Sequence, residues 1–200
     1  MNNVPFTLSQ VRPIRDAMTV SRPSGLGYGV PITWFSLGAG TSITPEYYDC
    51  TTLYLGGEGN GKFLLGVDGQ EVSVKPGEVL YVPPKTLCGT KTDSGMIYTE
   101  IILKKENFTM NNILKAGQPT ELKNLMSYED GSIANLDLVH ADNMKFVLMA
   151  FDEGTGLTPH RAPGNAILTA LEGKAIIGYE GKDHELNAGE SFRFDKNGLH

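Results

Sequence analysis

Lys62-Phe-Leu-Leu-Gly-Val-Asp-Gly-Gln-Glu-Val-Ser-Val-Lys-Pro-Gly-Glu-Val-Leu-Tyr-Val82 lies without a gap on Lys174-Ala-Ile-Ile-Gly-Tyr-Glu-Gly-Lys-Asp-His-Glu-Leu-Asn-Ala-Gly-Glu-Ser-Phe-Arg-Phe194 when the chain is shifted by 112 residues against itself. Lys62, Gly66, Gly69, Gly77 and Glu78 are identical to Lys174, Gly178, Gly181, Gly189 and Glu190. Self-similarity at a fixed offset decides an architecture before any single residue is interpreted. Upstream the offset becomes 116, placing Phe35, Gly38 and Gly40 on Phe151, Gly154 and Gly156, and Leu55 and Gly57 on Leu171 and Gly173. The extra residues fall between Gly56 and Gly61, where a loop absorbs them at small entropic cost.

Each copy reads as β structure. Val67-Asp68-Gly69-Gln70 and Tyr179-Glu180-Gly181-Lys182 put a Gly at the second central position between strand-like runs, the signal of a two-residue hairpin. Val72, Val74, Val79 and Tyr81 supply a period-two apolar pattern that Leu186, Phe192 and Phe194 echo. The segment from Lys104 to Asn124 is more polar, with Asn111, Asn112, Gly117, Gln118 and Pro119, and reads as a short helix or extended crossover. The division falls there, giving an N-terminal unit over residues 1–107 and a linker with a C-terminal unit over residues 108–200.

The 200 residues carry a formal net charge of −6, so the chain offers no basic footprint and nucleic acid is not an expected partner. Its 24 glycines and 11 prolines exceed the roughly 12% of average usage, a turn-rich composition. The stretch Met1-Asn2-Asn3-Val4-Pro5-Phe6 lacks a basic run followed by an apolar one, and apolar stretches such as Phe146 to Phe151 are too short to span a bilayer. A cytoplasmic protein without a membrane partner is expected. Two cysteines, Cys50 and Cys88, make neither a disulfide framework nor a CxxC knuckle.

Two copies of short strands, a Gly-bounded hairpin and a Pro-Gly-Glu turn leading to Val82-Pro83-Pro84 resemble the cupins, and a tandem copy resembles a bicupin. The first cupin motif runs Gly, five residues, His, one, His, three or four, Glu, six, Gly. Gly38 to Gly57 and Gly154 to Gly173 keep its two glycines at that spacing. The second motif runs Gly, five, Pro, one, Gly, two, His; Gly77 and Pro83 fit it in the first copy, and Gly189 and His200 in the second. The resemblance implies an all-β fold of two cupin-type (RmlC-like) double-stranded β-helix barrels, or jelly rolls, in tandem.

It also implies that the motif side chains point inward and hold a divalent metal such as Mn, Fe, Zn or Ni. Those positions carry Thr44, Glu46, Cys50 and Cys88 in the first copy and His160, Ala162, Ala166 and His200 in the second, so the family ligand type survives at two of eight. Thr44, Glu46, Cys50, Cys88, His160 and His200 are the expected ligand pocket. Any metal is expected at His160 and His200, because neutral imidazoles on facing strands can donate to one ion, although two protein ligands fall short of the usual three or four. Sliding the first motif to Gly40 and Gly59 also fits and selects Glu46, Tyr48 and Thr52; the Gly38 register is preferred because Phe35, Gly38 and Gly40 then match the second copy together. Both cysteines are expected reduced and inward-facing, as free Cys is among the most buried residue types. His140 and His184 read as surface or edge residues, as does Arg161, while Trp34 and Tyr47-Tyr48 line a pocket mouth or pack a core.

The eroded motifs imply a bicupin that binds a small molecule in one or both barrels, with no catalytic residue assigned. The alternative is a metal-dependent cupin enzyme, a dioxygenase, isomerase or decarboxylase, acting on a small organic acid or sugar through His160 and His200. A purely structural, dimerising barrel is a third reading, and a homodimer is expected in each case. The first copy continues from Cys88 into the apolar run Met96 to Leu103, whose counterpart under the same offset would be residues 208–215. The second barrel is therefore expected to lack its last strand, the gap being filled by further chain, by Val4 to Val11 or by a partner's strand.

Overall fold

The computed structural model describes residues 3–26, 30–104 and 108–200. A short helix α1 (Leu8–Val11) precedes β1 (Thr19–Pro23), β2 (Ile32–Leu37), β3 (Ser42–Glu46), β4 (Thr51–Gly59), β5 (Gly61–Leu65), β6 (Gln70–Val74), β7 (Glu78–Val82), β8 (Cys88–Lys91) and β9 (Met96–Leu103). The crossover supplies β10 (Phe108–Met110), β11 (Pro119–Glu121) and a 3-10 turn over Leu122–Leu125. Then come β12 (Ile133–Ala141), β13 (Met144–Phe151), β14 (Ala166–Thr169), β15 (Lys174–Tyr179), β16 (Lys182–Asn187) and β17 (Ser191–Phe194). The expected division at 107/108 adjoins residues 105–107, which lie outside the described residues.

In the N-terminal half a six-stranded sheet, ordered β1-β2-β9-β4-β7-β11, packs on a four-stranded sheet ordered β3-β8-β5-β6. Alternation explains the layering, because successive side chains of a strand point to opposite faces. Leu37, Tyr54, Leu80, Val82, Met96 and Tyr98 face Phe63, Leu65, Val72 and Val74 of the smaller sheet in one core. The intervening residues Leu53, Val79, Ile101 and Leu103 face the other way and form a second core with Leu114, Leu122, Leu138 and Val139. The large sheet is thus buried on both faces, and residues from both sides of the crossover share its outer core.

The repeat is structural as well as sequential. Lys75-Pro76-Gly77-Glu78 closes with Glu78 N donating to Lys75 O at 3.0 Å, Gly77 at φ +82, and the Glu78 carboxylate accepting from Lys75 N at 2.8 Å. Asn187-Ala188-Gly189-Glu190 repeats the turn with Glu190 N to Asn187 O at 3.0 Å, Gly189 at φ +84, and Glu190 accepting from Asn187 N at 2.8 Å. The shared Gly supplies the positive φ of a type II turn and the shared Glu ties the turn's first N–H. The hairpins differ. Tyr179↔Lys182 encloses two residues, as expected, whereas Leu65↔Gln70 encloses four, Gly66 to Gly69, with both end glycines at positive φ.

The pairings β12–β13, β14–β17 and β15–β16 reproduce β1–β2, β4–β7 and β5–β6. Among the described residues no strand takes the place of β9 in the second copy. β9 stands between β2 and β4, whereas among the described residues β13 pairs with β12 and β14 with β17, leaving their facing edges unjoined. The segment Val4 to Val11 does not fill that slot. Phe6 instead exchanges backbone hydrogen bonds of 2.9 and 2.8 Å with Ser191 on the outer side of β17. That is the place β11 takes against β7, where Thr120 pairs with Val79. Each half is therefore flanked by the segment that leads into the other half, and each such segment turns directly into a short helix, Leu8–Val11 or Leu122–Leu125.

Candidate functional site

The interior of the N-terminal half holds the densest chemistry. β3 and β8 begin in register, Ser42↔Lys91 and Ile43↔Thr90, then shift so that Glu46 pairs with Cys88. The extra backbone of Thr44 and Pro45 is accommodated opposite Gly89, where a Cβ would fall 2.8 Å from the Ile43 carbonyl oxygen and 2.9 Å from the Pro45 ring. A bulge of this kind re-aims the residues beyond it. It sets Glu46 beside Cys88 at the rim of this interior, with both Thr44 and Glu46 exposed.

Across the interior, Glu100 occupies β9 opposite Tyr54 of β4, on the face that also presents Met96 and Tyr98. Only 6% of Glu100 is exposed. Burial pushes its carboxyl up to about 7, against the opposing effect of hydrogen bonding to the Tyr54 hydroxyl and with a further push from Glu46. Burial likewise raises the Cys88 thiol to about 11, opposed by Tyr54 and reinforced by Glu100. Tyr48, Tyr54 and Tyr98 are all raised, by burial first and then by Glu100, Glu46 or Cys88. Thr90, two residues after Cys88 on the same face, is 3% exposed, and among the described residues its Oγ1 meets no partner at full hydrogen-bond geometry, with the Tyr98 hydroxyl close enough to act on it.

Glu46 and Cys88 thus meet, and Tyr48, selected by the Gly40 register, joins them. Cys50 lies in the bend before β4, half-buried and free like Cys88, outside the groups that act on Glu100. Tyr47 is exposed, and Trp34 is core, against Phe6 at 6.4 Å and beneath the Arg12 guanidinium at 5.4 Å. Glu100, Tyr54, Tyr98 and Thr90 escaped the motif-based reading. The signal for Glu100 was available: an acid at the parity of Met96 and Tyr98 in an otherwise apolar run is a charge on a core face.

In the C-terminal half, His160 and His200 face each other through two backbone bonds, His160 N to His200 O at 2.8 Å and His200 N to His160 O at 3.0 Å. Their rings lie 4.4 Å apart, with Phe194 also 4.4 Å from His200. Each Nδ1 sits 3.0 Å from a backbone carbonyl, of Thr158 and of Gly198. A carbonyl only accepts, so each neutral ring holds its proton on Nδ1 and keeps the Nε2 lone pair free. A cupin fold implies a divalent metal here, but the donor set stops at two. Among the described residues no group of three or more His, Cys, Asp or Glu side chains is placed to hold an ion. Arg161 is an exposed partner of Glu180 at 3.3 Å and His140 is exposed, while His184 packs 5.1 Å from Phe192.

No helix among the described residues is long and apolar enough to cross a membrane. No curated protein matches the chain. Among solved structures, a Cupin 2 conserved barrel domain protein from Leptotrichia buccalis is similar over 98% of this chain and 87% of its own, with a TM-score of 0.81 at 23% identity. A putative glyoxylate induced protein from Pseudomonas aeruginosa is similar over 90% of this chain and 72% of its own, with a TM-score of 0.56 at 16% identity. The cupin domain family model matches residues 147–200, the stretch that includes His160 and His200. The chain therefore has the all-β fold of the RmlC-like cupin barrels, and residues 147–200 match the cupin domain model.

Proposed function

We propose that this is a cytoplasmic bicupin, acting as a homodimer, that binds a small organic molecule in the interior of its N-terminal half. The observation that supports this most is Glu100, a buried carboxyl raised to about 7 amid Glu46, Cys88 and three tyrosines. Among the described residues that carboxyl has no ion-pair partner, and ionising it there costs stability, the usual mark of a group retained for a ligand. Cys88 reports occupancy. With Cys50 replaced by Ser, the rate of Cys88 carboxymethylation at pH 9 is followed in the presence of small carboxylates, sugars and amines. At least one class is expected to slow it severalfold. Equal rates with every class present would refute the reading.

The second reading is a metal-dependent cupin enzyme, a dioxygenase, isomerase or decarboxylase, with a small organic acid or sugar as substrate. The free Nε2 atoms of His160 and His200 favour it. Two imidazoles fall one ligand short of the usual catalytic set, so the remaining coordination would have to come from solvent and substrate. Metal analysis of untagged protein purified without added ions separates the readings, since stoichiometric Mn, Fe, Zn or Ni supports the enzyme.

A further inference from the structure

We propose that the molecule taken up in the N-terminal half is a small organic cation, an amine whose positive charge is received between Glu46 and Glu100. This rests on the binding reading above and adds the ligand's class. Every ionisable group that acts on another in this interior, from β3, β4, β8, β9 and the loop after β3, becomes negative on ionising: Glu46, Tyr48, Tyr54, Cys88, Tyr98 and Glu100. Among the described residues no Lys, Arg or His contributes to any of them. The lysines of the same small sheet, Lys62 and Lys91, are committed to Glu71 on its exposed side. Among the described residues this interior therefore offers carboxylates and neutral hydroxyl and thiol groups but no positive charge, so a carboxylate ligand would find no counter-ion there.

Two further features fit an ammonium group. The buried Thr90 Oγ1, which among the described residues has only the Tyr98 hydroxyl beside it and no bond of full geometry, offers an acceptor to an N–H donor from the same face as Cys88. The walls are aromatic: Phe35 stacks on Tyr98 at 4.9 Å, and Tyr54 meets Tyr98 at 5.8 Å. Ring faces attract cations, more strongly where water is excluded. A bare divalent metal is the poorer occupant, since no set of three His, Cys, Asp or Glu ligands converges among the described residues.

The test compares matched probes at pH 8.5 by calorimetry and by protection of Cys88 from carboxymethylation in the Cys50→Ser protein. The probes are butylammonium, choline, their neutral counterparts butan-1-ol and 3,3-dimethylbutan-1-ol, and butyrate. At least one cation is expected to bind at least about tenfold more tightly than its neutral counterpart and than butyrate, and to slow Cys88 alkylation. Glu100→Gln is expected to abolish that preference, and Glu46→Gln, on an exposed strand position, to weaken it severalfold without unfolding the protein. Protection of Cys88 by a neutral probe or butyrate as strong as by the cations would overturn the ligand class and leave small-molecule binding intact. Protection by none of the five overturns the cation proposal, and the wider panel of sugars and carboxylates then decides whether the binding reading falls with it.

Discussion

Phe63 and Ala175 occupy the same place in the two copies and meet opposite fates. Phe63 is fully buried, with Tyr54 at 4.8 Å and Tyr98 at 5.2 Å, whereas Ala175 is exposed. The positions that follow behave alike: Val74, Leu80 and Val82 are buried, and so are their counterparts Leu186, Phe192 and Phe194. The difference lies in β9, which brings Met96 and Tyr98 over Phe63 in one half and has no counterpart across β15 in the other. Among the described residues, the lack of a strand over β15 leaves a small residue exposed where the first copy buries a Phe, although the hairpin β15–β16 pairs as β5–β6 does.

The sharpest break of this comparison is therefore substitution at the two equivalent sites. Phe63→Ala is expected to cost about 3–5 kcal/mol, the range for emptying a well-packed aromatic site. Ala175→Ser is expected to stay within about 0.5 kcal/mol, as for exposed positions. Urea denaturation of both variants measures the contrast. Comparable losses would mean that β15 is covered in solution and that the C-terminal half is closed by something the described residues do not show.

Next in size is the pH dependence conferred by Glu100. Its folded value, about 7, lies above the ordinary carboxyl value of 4.5, so the fold favours the protonated form. The associated stability is full below pH 4.5 and is lost as pH rises through 7. From pH 4.5 to 8.5 the loss is about 3 kcal/mol, at 1.36 kcal/mol per pK unit. The wild-type protein is expected to lose this much relative to Glu100→Gln when urea midpoints are compared at the two pH values. Parallel curves for the two proteins would place Glu100 in water, and no buried acid would then distinguish the N-terminal half.

The repeat made most of the fold legible. Its offset matches β5, β6 and β7 to β15, β16 and β17, and the Gly-Glu turns are identical because one backbone conformation and one carboxylate cap are needed in both places. The four-residue hairpin at Gly66 to Gly69 was not legible, since a Gly at either end of the loop satisfies the signal for a shorter one. The flanking role of Phe6 was hidden for a different reason: backbone pairing with Ser191, 185 positions further along the chain, leaves no periodic trace. In the site, motif spacing found Glu46 and Cys88 but could not foresee the bulge at Thr44 and Pro45 that sets them side by side. That bulge also separates the copies, because His160, which aligns with Thr44, pairs with His200, whereas in the first copy Glu46 takes the equivalent partner.

The smallest expected effect concerns the imidazole pair in the C-terminal half. Both Nε2 atoms are free and their rings are 4.4 Å apart, so a late transition metal added to the protein is expected to settle there rather than at Glu46 and Cys88, whose thiol burial keeps protonated at neutral pH. Ligand softness alone would have favoured the thiol. Because only two protein atoms are offered, binding is expected to be reversible and the stabilisation modest. At a free metal concentration ten times the dissociation constant the gain is about 1.4 kcal/mol, provided the unfolded chain does not bind. Thermal unfolding with and without Zn or Ni measures it, and His200→Ala is expected to remove it while leaving the metal-free midpoint nearly unchanged. Anomalous scattering that places the ion beside Cys88 would reverse the assignment of the two halves, making the N-terminal interior the metal centre and the histidine pair a structural clasp.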